Sequence, residues 1–166
     1  MEEKKEFNSH IKKISHVCMV VKDMDKAIRT YEEVYGIGPW VMGGKDDFKY
    51  IPGTTYVHGN QVDFNGRLAI CSMYNVDLEL IQPMDENSHY AEFLREHGEG
   101  MHHIFVEIDN KDEFVKTVKD RGNETLFEGY VAVPPFTEQI YCTYYDMRKD
   151  LGMIVEIAPD PPVPIK

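Results

Sequence analysis

The strongest constraint on the fold is an internal repeat anchored on two histidines, His16 and His103. An aliphatic residue lies five positions beyond each anchor, an aspartate nine positions beyond and a threonine fourteen positions beyond. A glycine then ends each segment, at Gly36 and Gly122, with a difference of one residue in the spacing. Several matches in the same order are difficult to obtain by chance, so the sequence predicts two copies of one structural unit.

The first copy begins as a strand and continues as a helix. Its opening segment, IKKISHVCMVV at 11–21, is rich in β-branched residues, and Asp23 then provides a suitable helix cap. Apolar residues recur at helical spacing after this cap and predict one buried stripe: Ala27, Ile28, Tyr31 and Val34.

The second copy repeats this order of strand, cap and helix. Asn110 is suited to cap the helix, and Glu113 three residues later makes the pair resemble a capping box. Gly122 is suited to the position just beyond the helix end. The buried stripe predicted for this helix consists of Phe114, Val115 and Val118.

Both copies also end alike, in DLELIQP at 77–83 and in MIVEIAP at 153–159. Each ending places a glutamate between aliphatic residues, with a proline shortly after it, and these glutamates are Glu79 and Glu156. A strand precedes each ending, so the order β-α-β-β-β occurs twice. The predicted fold class is therefore α+β, with two tandem βαβββ modules.

A short helix, SHYAEFLREHG at 88–98, connects the two copies, with Ser88 as its cap and Gly98 as its stop. The sequence thus predicts five segments. They are an N-terminal extension at 1–12, a first βαβββ module at 13–83, a linking helix at 84–99, a second βαβββ module at 100–159 and a proline-rich tail at 160–166.

The composition excludes several classes of partner. The 166 residues carry a net charge of −11, which argues against binding to nucleic acid or to an anionic membrane surface. No apolar run is long enough to cross a bilayer, and the charged N-terminus lacks the apolar core of a signal peptide. The three cysteines form no C-x-x-C pair, which is typical of a reduced protein and predicts a cytoplasmic location.

Four polar residues fall on strand faces opposite the aliphatic ones. Side chains alternate along a strand, so the aliphatic residues that flank His16, Glu79, His103 and Glu156 occupy the other face. Taken singly, each histidine or glutamate is more often hydrogen-bonded or solvated than a metal ligand. At matching positions of a duplicated unit, imidazole and carboxylate together favour a divalent metal site.

The residues also resemble a known family, the vicinal oxygen chelate superfamily. The segment LELIQPMDENSHYAEFLREHGEGMHHIFVEIDN at 78–110 is similar to the methylmalonyl-CoA epimerase-like branch, including its G-x-H-H strand. The opening at 13–39 also suits the superfamily, whereas 40–66 does not match it. The superfamily further includes glyoxalase I, extradiol dioxygenases and bleomycin-resistance proteins.

The resemblance implies that the curved sheets of the two modules form a cleft that holds a metal. One divalent ion per chain, Co, Ni, Mn, Zn or Fe, would be bound by nitrogen and oxygen alone, with no cysteine ligand. The resemblance also implies a homodimer, which would cover open sheet edges. Carried over position by position, the ligands are His16, Glu79, His103 and Glu156. His102 precedes a ligand and is expected to point to the opposite face.

The implied chemistry is a proton transfer α to a carbonyl, in a small-molecule substrate such as a thioester, a hemithioacetal or a related carbonyl compound. Glu156 and Glu79 are the candidate catalytic carboxylates, and Asp63 is a candidate second base, with a turn-forming role as the other interpretation. The best-known epimerases carry glutamine at the position of Glu79. A His/Glu/His/Glu set instead resembles bacterial glyoxalase I.

Three alternatives therefore remain at this point: a glyoxalase I-like lyase of the lactoylglutathione lyase type, an extradiol-type dioxygenase, and a small-molecule binding protein of the same fold. The unmatched segment 40–66 is expected to shape the substrate pocket with aromatic residues. The candidates for this wall, including three from later strands, are Trp40, Phe48, Tyr50, Tyr56, Met73, Tyr144 and Tyr145.

Overall fold

The computed structural model describes residues 10–42, 49–73, 75–133 and 137–165. Phe48 and the first nine residues lie outside this described part. The strands are β1 Ile11–Val20, β2 Val41–Met42, β3 Lys49–Tyr50, β4 Tyr56–Val57, β5 Asn60–Gln61, β6 Gly66–Ser72, β7 Asp77–Pro83, β8 Gly100–Ile108, β9 Glu124–Val133, β10 Glu138–Asp146, β11 Ile154–Ile157 and β12 Val163–Pro164. The helices are α1 Met24–Arg29, α2 His89–His97, α3 Lys111–Asp120 and α4 Arg148–Leu151. None of the described helices has the length and apolar character needed to cross a membrane.

All the described strands join one mixed sheet, which curls around the interior of the molecule. Its order is β2-β6-β7-β1-β8-β11-β10-β9-β4-β5, with β12 added on β10 and β3 on β9. The β1–β7 and β8–β11 pairs are parallel, and β1 runs antiparallel to β8 at the centre. The two halves therefore repeat one topology on either side of β1 and β8, and the predicted α+β class is confirmed.

Residues 49–61 contribute strands that the sequence pattern did not predict. Strands β3 and β4 leave the first half of the sheet and pair with β9 in the second half, and β5 extends β4. The hydrogen bonds of this insertion thus couple the two copies of the repeat. Strand pairing between distant segments depends on tertiary contacts that local periodicity does not contain.

The first helix confirms its predicted cap but not its whole predicted stripe. The Asp23 side chain accepts a hydrogen bond from Lys26 N, as an N-cap residue should. Beyond α1, residues Thr30–Val34 form a π-helical turn, in which each backbone bond spans one residue more than in an α-helix. This wider turn breaks the 3.6-residue period, so Val34 is exposed and its predicted burial is wrong.

The caps of the two longer helices agree with the sequence. The Ser88 hydroxyl accepts a hydrogen bond from Ala91 N at the start of α2, and Gly98 ends this helix with a φ of +79°. Asn110 accepts from Glu113 N at the start of α3. The Glu113 carboxylate accepts from the Asn110 side-chain amide, so the predicted capping box is closed through side chains.

Helices α1 and α3 pack against aliphatic residues on the outer face of the sheet. Ile104, Val106, Val155 and Ile157 pack with Phe114 and Val118 of α3, and Leu80 packs with Met24 of α1. Each fully buried aliphatic side chain contributes roughly 1.5–3 kcal/mol to folding. The opposite, concave face of β7, β1, β8 and β11 carries the two histidines and two glutamates, beside an interior core that includes Cys18, Tyr90 and Tyr144.

Candidate metal centre

Four adjacent strands each place one ionisable side chain on the concave face. His16 lies on β1, Glu79 on β7, His103 on β8 and Glu156 on β11. These strands are neighbours in the order β7-β1-β8-β11, so the repeat brings the equivalent residues of both copies to one place. The structure thus brings together all four residues that the sequence selected.

The donor atoms of the four side chains lie close to one another. His103 Nε2 is 2.9 Å from Glu156 Oε2 and 3.5 Å from Glu79 Oε2. His16 Nε2 is 3.2 Å from Glu156 Oε2, 3.4 Å from Glu79 Oε2 and 3.2 Å from His103 Nε2. Donors around one ion with bonds of about 2.0–2.2 Å are separated by roughly 2.8–3.6 Å in tetrahedral or octahedral arrangements. These five separations match the spacing that a shared divalent ion requires. Within 4.8 Å the donors form two overlapping groups, one of His16, His103 and Glu156 and the other of Cys18, Glu79 and His103.

The burial of the carboxylates supports the same interpretation. Glu79 and Glu156 are each 5% exposed, and the polar neighbours of their buried Oε2 atoms include the two imidazole nitrogens, at 2.9–3.5 Å. Leaving a buried carboxylate uncompensated costs on the order of several kcal/mol. A cation held between these two oxygens and the two imidazole nitrogens would remove that cost, so the residues fit a metal.

The charges of the cluster are strongly coupled. Burial lowers the pKa of His16, but the nearby carboxylates, Glu79 first, outweigh burial and raise it to about 9. Burial raises the pKa of Glu156, but hydrogen bonding to His103 and His16 outweighs that effect and lowers it below its usual range. In the absence of a metal the cluster is therefore held by ion pairing between an imidazolium and a carboxylate.

Two buried thiols border the carboxylates, a feature that the sequence pattern did not predict. Burial, followed by the charge of Glu79 and a hydrogen bond to it, raises the pKa of Cys18 well above its usual range. Burial and Glu156 do the same for Cys142. Cys18 is two residues beyond His16 and therefore shares its face, which is the signal that could have revealed it.

The structure corrects the prediction for His102. Its Nδ1 atom lies 2.9 Å from Nδ1 of His103, so the two rings meet instead of pointing to opposite faces. The register between β1 and β8 shifts from Cys18 opposite His103 to Met19 opposite Met101. His102 is the extra residue of this irregularity, and a bulge of this kind interrupts the alternation of side chains.

Aromatic rings surround the inner side of the cluster. The Tyr144 ring centroid is 4.8 Å from that of His103, and the Tyr90 hydroxyl donates to the Tyr144 hydroxyl at 2.9 Å. Phe105 stacks on His16 with a centroid separation of 5.1 Å. Of the aromatic residues expected to line the pocket, Tyr144 therefore lies beside the candidate ligands.

Other members of the expected aromatic wall lie elsewhere. Trp40 packs against Tyr31 of the π-helical turn on the outer face, and Tyr145 belongs to the core beneath α3. Tyr50 packs against Phe64 and Phe127 in the interior. The outer positions of Trp40 and Tyr145 follow from strand and helix packing that composition alone does not reveal.

Asp63 lies in the loop between β5 and β6. It is exposed, and its carboxylate accepts a hydrogen bond from Gly53 N at 2.9 Å, within the inserted segment. Gly53 has a φ of +76°, a backbone conformation that suits glycine. This contact gives Asp63 a structural role, in which its carboxylate holds the turn at Gly53.

Comparisons with known proteins agree with this fold. A family model described as the glyoxalase/bleomycin resistance protein/dioxygenase superfamily matches residues 15–143. The mitochondrial methylmalonyl-CoA epimerase of Bos taurus is 29% identical over 119 residues, which cover 70% of this chain and 58% of that protein. The Homo sapiens enzyme is 28% identical over 117 residues, which cover 70% of this chain and 57% of that protein. The chain thus spans less than two thirds of the length of these relatives.

Solved structures show the same architecture. A methylmalonyl-CoA epimerase from Mycobacterium tuberculosis aligns with a TM-score of 0.60 at 19% identity, covering 95% of both chains. A Streptomyces coelicolor methylmalonyl-CoA epimerase in complex with 2-nitronate-propionyl-CoA aligns with a TM-score of 0.59 at 19% identity, covering 90% of this chain and 98% of that chain. The family model covers well over half of the sequence, and the architecture agrees with it. The chain therefore belongs to the glyoxalase/bleomycin resistance protein/dioxygenase superfamily.

Proposed function

We propose that the protein is a metal-dependent isomerase of the epimerase type, which moves a proton α to the carbonyl of a thioester. The observation that carries this proposal is the cluster of two imidazoles and two buried carboxylates on one concave face. The methylmalonyl-CoA epimerases among its relatives support the substrate class, and one of them binds a propionyl-CoA analogue.

The ligands would be His16, Glu79, His103 and Glu156, because each imidazole Nε2 lies within 3.5 Å of a carboxylate oxygen of both glutamates. A divalent ion bound there would act as a Lewis acid on the negative charge that develops at the substrate carbonyl oxygen. The side chain of His16 is 17% exposed, against 6% or less for the other three. The substrate therefore approaches from the side of His16 and Phe105, which stacks on that ring.

Glu156 is the carboxylate best held to move the proton. It lies on β11, whose four residues are all buried, between Tyr144 of β10 and Phe105 of β8. A base supported by strands on both sides keeps its position during the reaction, as proton transfer requires. Glu79 is the equivalent residue of the first copy, on the other side of the histidine pair.

Exchange of the α-proton in deuterated water tests the proposal directly. Protein loaded with Co²⁺ or Zn²⁺ is incubated with an α-substituted acyl-CoA thioester, and deuterium incorporation is followed by mass spectrometry. Incorporation that requires both protein and metal is the expected result. If no thioester exchanges its α-proton in the presence of metal-loaded protein, the reaction class is wrong.

A glyoxalase I-like lyase is the second candidate, and the position of Asp63 favours it. In that chemistry the two glutamates flank the substrate, so no base is required from outside the cluster. The Asp63 carboxylate is engaged with Gly53 N in a turn. A hemithioacetal substrate tested beside the thioester separates these two reactions.

The variant Asp63→Asn tests whether Asp63 acts as a second base. Asparagine retains an oxygen that can accept the hydrogen bond from Gly53 N, so the turn should persist. If Asp63 is a second base, thioester exchange should fall by about 10²–10⁴-fold. We expect exchange close to that of the unaltered protein, because the structure engages Asp63 in the turn. A large loss with unchanged thermal stability would restore Asp63 as a catalytic base.

We further propose a homodimer, since the order of the described strands ends at β2 and β5, and neither of these has a second strand beside it within the described residues. Sedimentation velocity at micromolar concentration should show a species of twice the 19.3 kDa chain mass, and a monomer would contradict this. The three cysteines are free and buried, which supports the predicted cytoplasmic location.

A further inference from the structure

We propose that His102 is a positioning residue, the hydrogen-bond acceptor that fixes the ring orientation and tautomer of His103. This inference rests on the proposed metal site, in which His103 is a ligand. It concerns a residue for which the sequence predicted a position away from the cluster.

Only one proton can lie between the two ring nitrogens that meet, Nδ1 of His102 and Nδ1 of His103. Nδ1 of His102 and Nδ1 of His103 are 2.9 Å apart, so one nitrogen donates and the other accepts. Nε2 is the His103 atom that faces His16, Glu79 and Glu156, so Nε2 must offer its lone pair to a metal. The His103 proton then lies on Nδ1 and is donated to His102. A metal-bound histidine commonly uses its second nitrogen in this way.

The surroundings of His102 hold its ring in place. The side chain is 3% exposed, and its centroid lies 5.2 Å from His89, 4.9 Å from Tyr90 and 5.1 Å from Phe93. All three neighbours belong to α2, the helix between the two copies of the repeat. The bulge in β8 turns His102 toward this helix, so α2 indirectly orients a ligand of the second copy.

The second ring nitrogen of His102, Nε2, is buried, and His102 lines a small cavity. Because Nδ1 accepts, the proton of His102 lies on Nε2, and among the described residues this buried atom has no hydrogen-bond partner. His102 lines a cavity of about 40 Å³ together with His89, His58 and Glu92. A water molecule needs roughly 10–15 Å³ and at least two polar partners, so one fits there. At the surface beyond it, His58 Nε2 and Glu92 Oε2 are 2.9 Å apart.

A buried histidine can also serve packing alone, and two substitutions separate these roles. In His102→Asn, the side-chain oxygen occupies nearly the place of Nδ1 and can accept from His103. In His102→Leu, the volume is largely kept but no acceptor remains. A pure packing role predicts that leucine is tolerated at least as well as asparagine, and the positioning role predicts the reverse.

Zinc affinity, measured by competition with a chromophoric chelator, is the first readout. We expect His102→Leu to weaken zinc binding by about 10–100-fold and His102→Asn to weaken it by less than about 10-fold. The thermal unfolding of the zinc-free proteins is the control for folding. Unchanged zinc affinity in His102→Leu overturns the inference.

The second readout uses the unaltered protein and therefore does not depend on whether a variant folds. Long-range ¹H–¹⁵N spectra of the zinc-loaded protein should show His102 protonated at Nε2 and His103 protonated at Nδ1. A proton on Nδ1 of His102 would contradict the inference. If the unaltered protein binds no zinc, the proposed metal site fails together with it. If zinc binds but neither readout responds as expected, only the role of His102 fails.

Discussion

Glu156→Gln is expected to reduce α-proton exchange by about 10²–10⁴-fold, the range over which a positioned general base contributes. Glutamine preserves the shape of the side chain but cannot accept the proton. Three candidate ligands remain, so part of the metal should be retained. Exchange is therefore measured per bound metal ion, with the metal content of the same sample determined by mass spectrometry.

Glu79→Gln is the matched comparison, since Glu79 is the equivalent residue in the first copy and is equally buried. The best-known epimerases of the branch that the sequence resembles carry glutamine at this position, so an epimerase mechanism predicts substantial activity in this variant. A glyoxalase-like mechanism with two carboxylate bases predicts a marked loss in both variants. Exchange at the unaltered rate in metal-loaded Glu156→Gln would exclude Glu156 as the base.

The residues of the candidate centre could be selected from sequence because their signals are local and duplicated. Alternation along single strands placed His16 and Glu79 opposite aliphatic neighbours, and the repeat supplied His103 and Glu156. The helix caps could be predicted for the same reason, since Asp23 accepts a hydrogen bond from a backbone amide only three residues away. Each of these inferences required only neighbouring residues and a known period.

Features that depend on pairing between distant segments could not be inferred in this way. The bulge that brings His102 to His103 is defined by the register of β8 against β1. The π-helical turn that exposes Val34 changes the period of the helix itself. The crossing of β4 to β9 joins residues on either side of the linking helix. The register and the strand crossing depend on contacts outside any window over which hydrophobic periodicity is read, and the π-helical turn departs from the 3.6-residue period that such a window assumes.

His103→Ala is expected to strip the metal from the protein. His103 is fully buried, and its Nε2 lies within 3.5 Å of donor atoms from the three other candidate ligands. Removal of this ligand should therefore lower the metal affinity by more than the about 10–100-fold that is typical when a hydrogen-bond partner of a ligand is removed. Imidazole and carboxylate ligands favour a divalent transition metal. The metal content per chain after dialysis, measured by plasma mass spectrometry, should fall from about one ion to a trace.

The fold should largely survive this substitution, because two of the three core clusters among the described residues, beneath α1 and α3, lie on the other face of the sheet. Circular dichroism and thermal unfolding of both metal-free proteins measure that directly. Cys18→Ser is the matched control, since this thiol lies within 4.8 Å of candidate ligand atoms of Glu79 and His103. If the site uses nitrogen and oxygen alone, Cys18→Ser keeps its metal and His103→Ala loses it. Full occupancy in His103→Ala would show that the ligand assignment is wrong, and loss of metal in Cys18→Ser would add sulfur to the ligands.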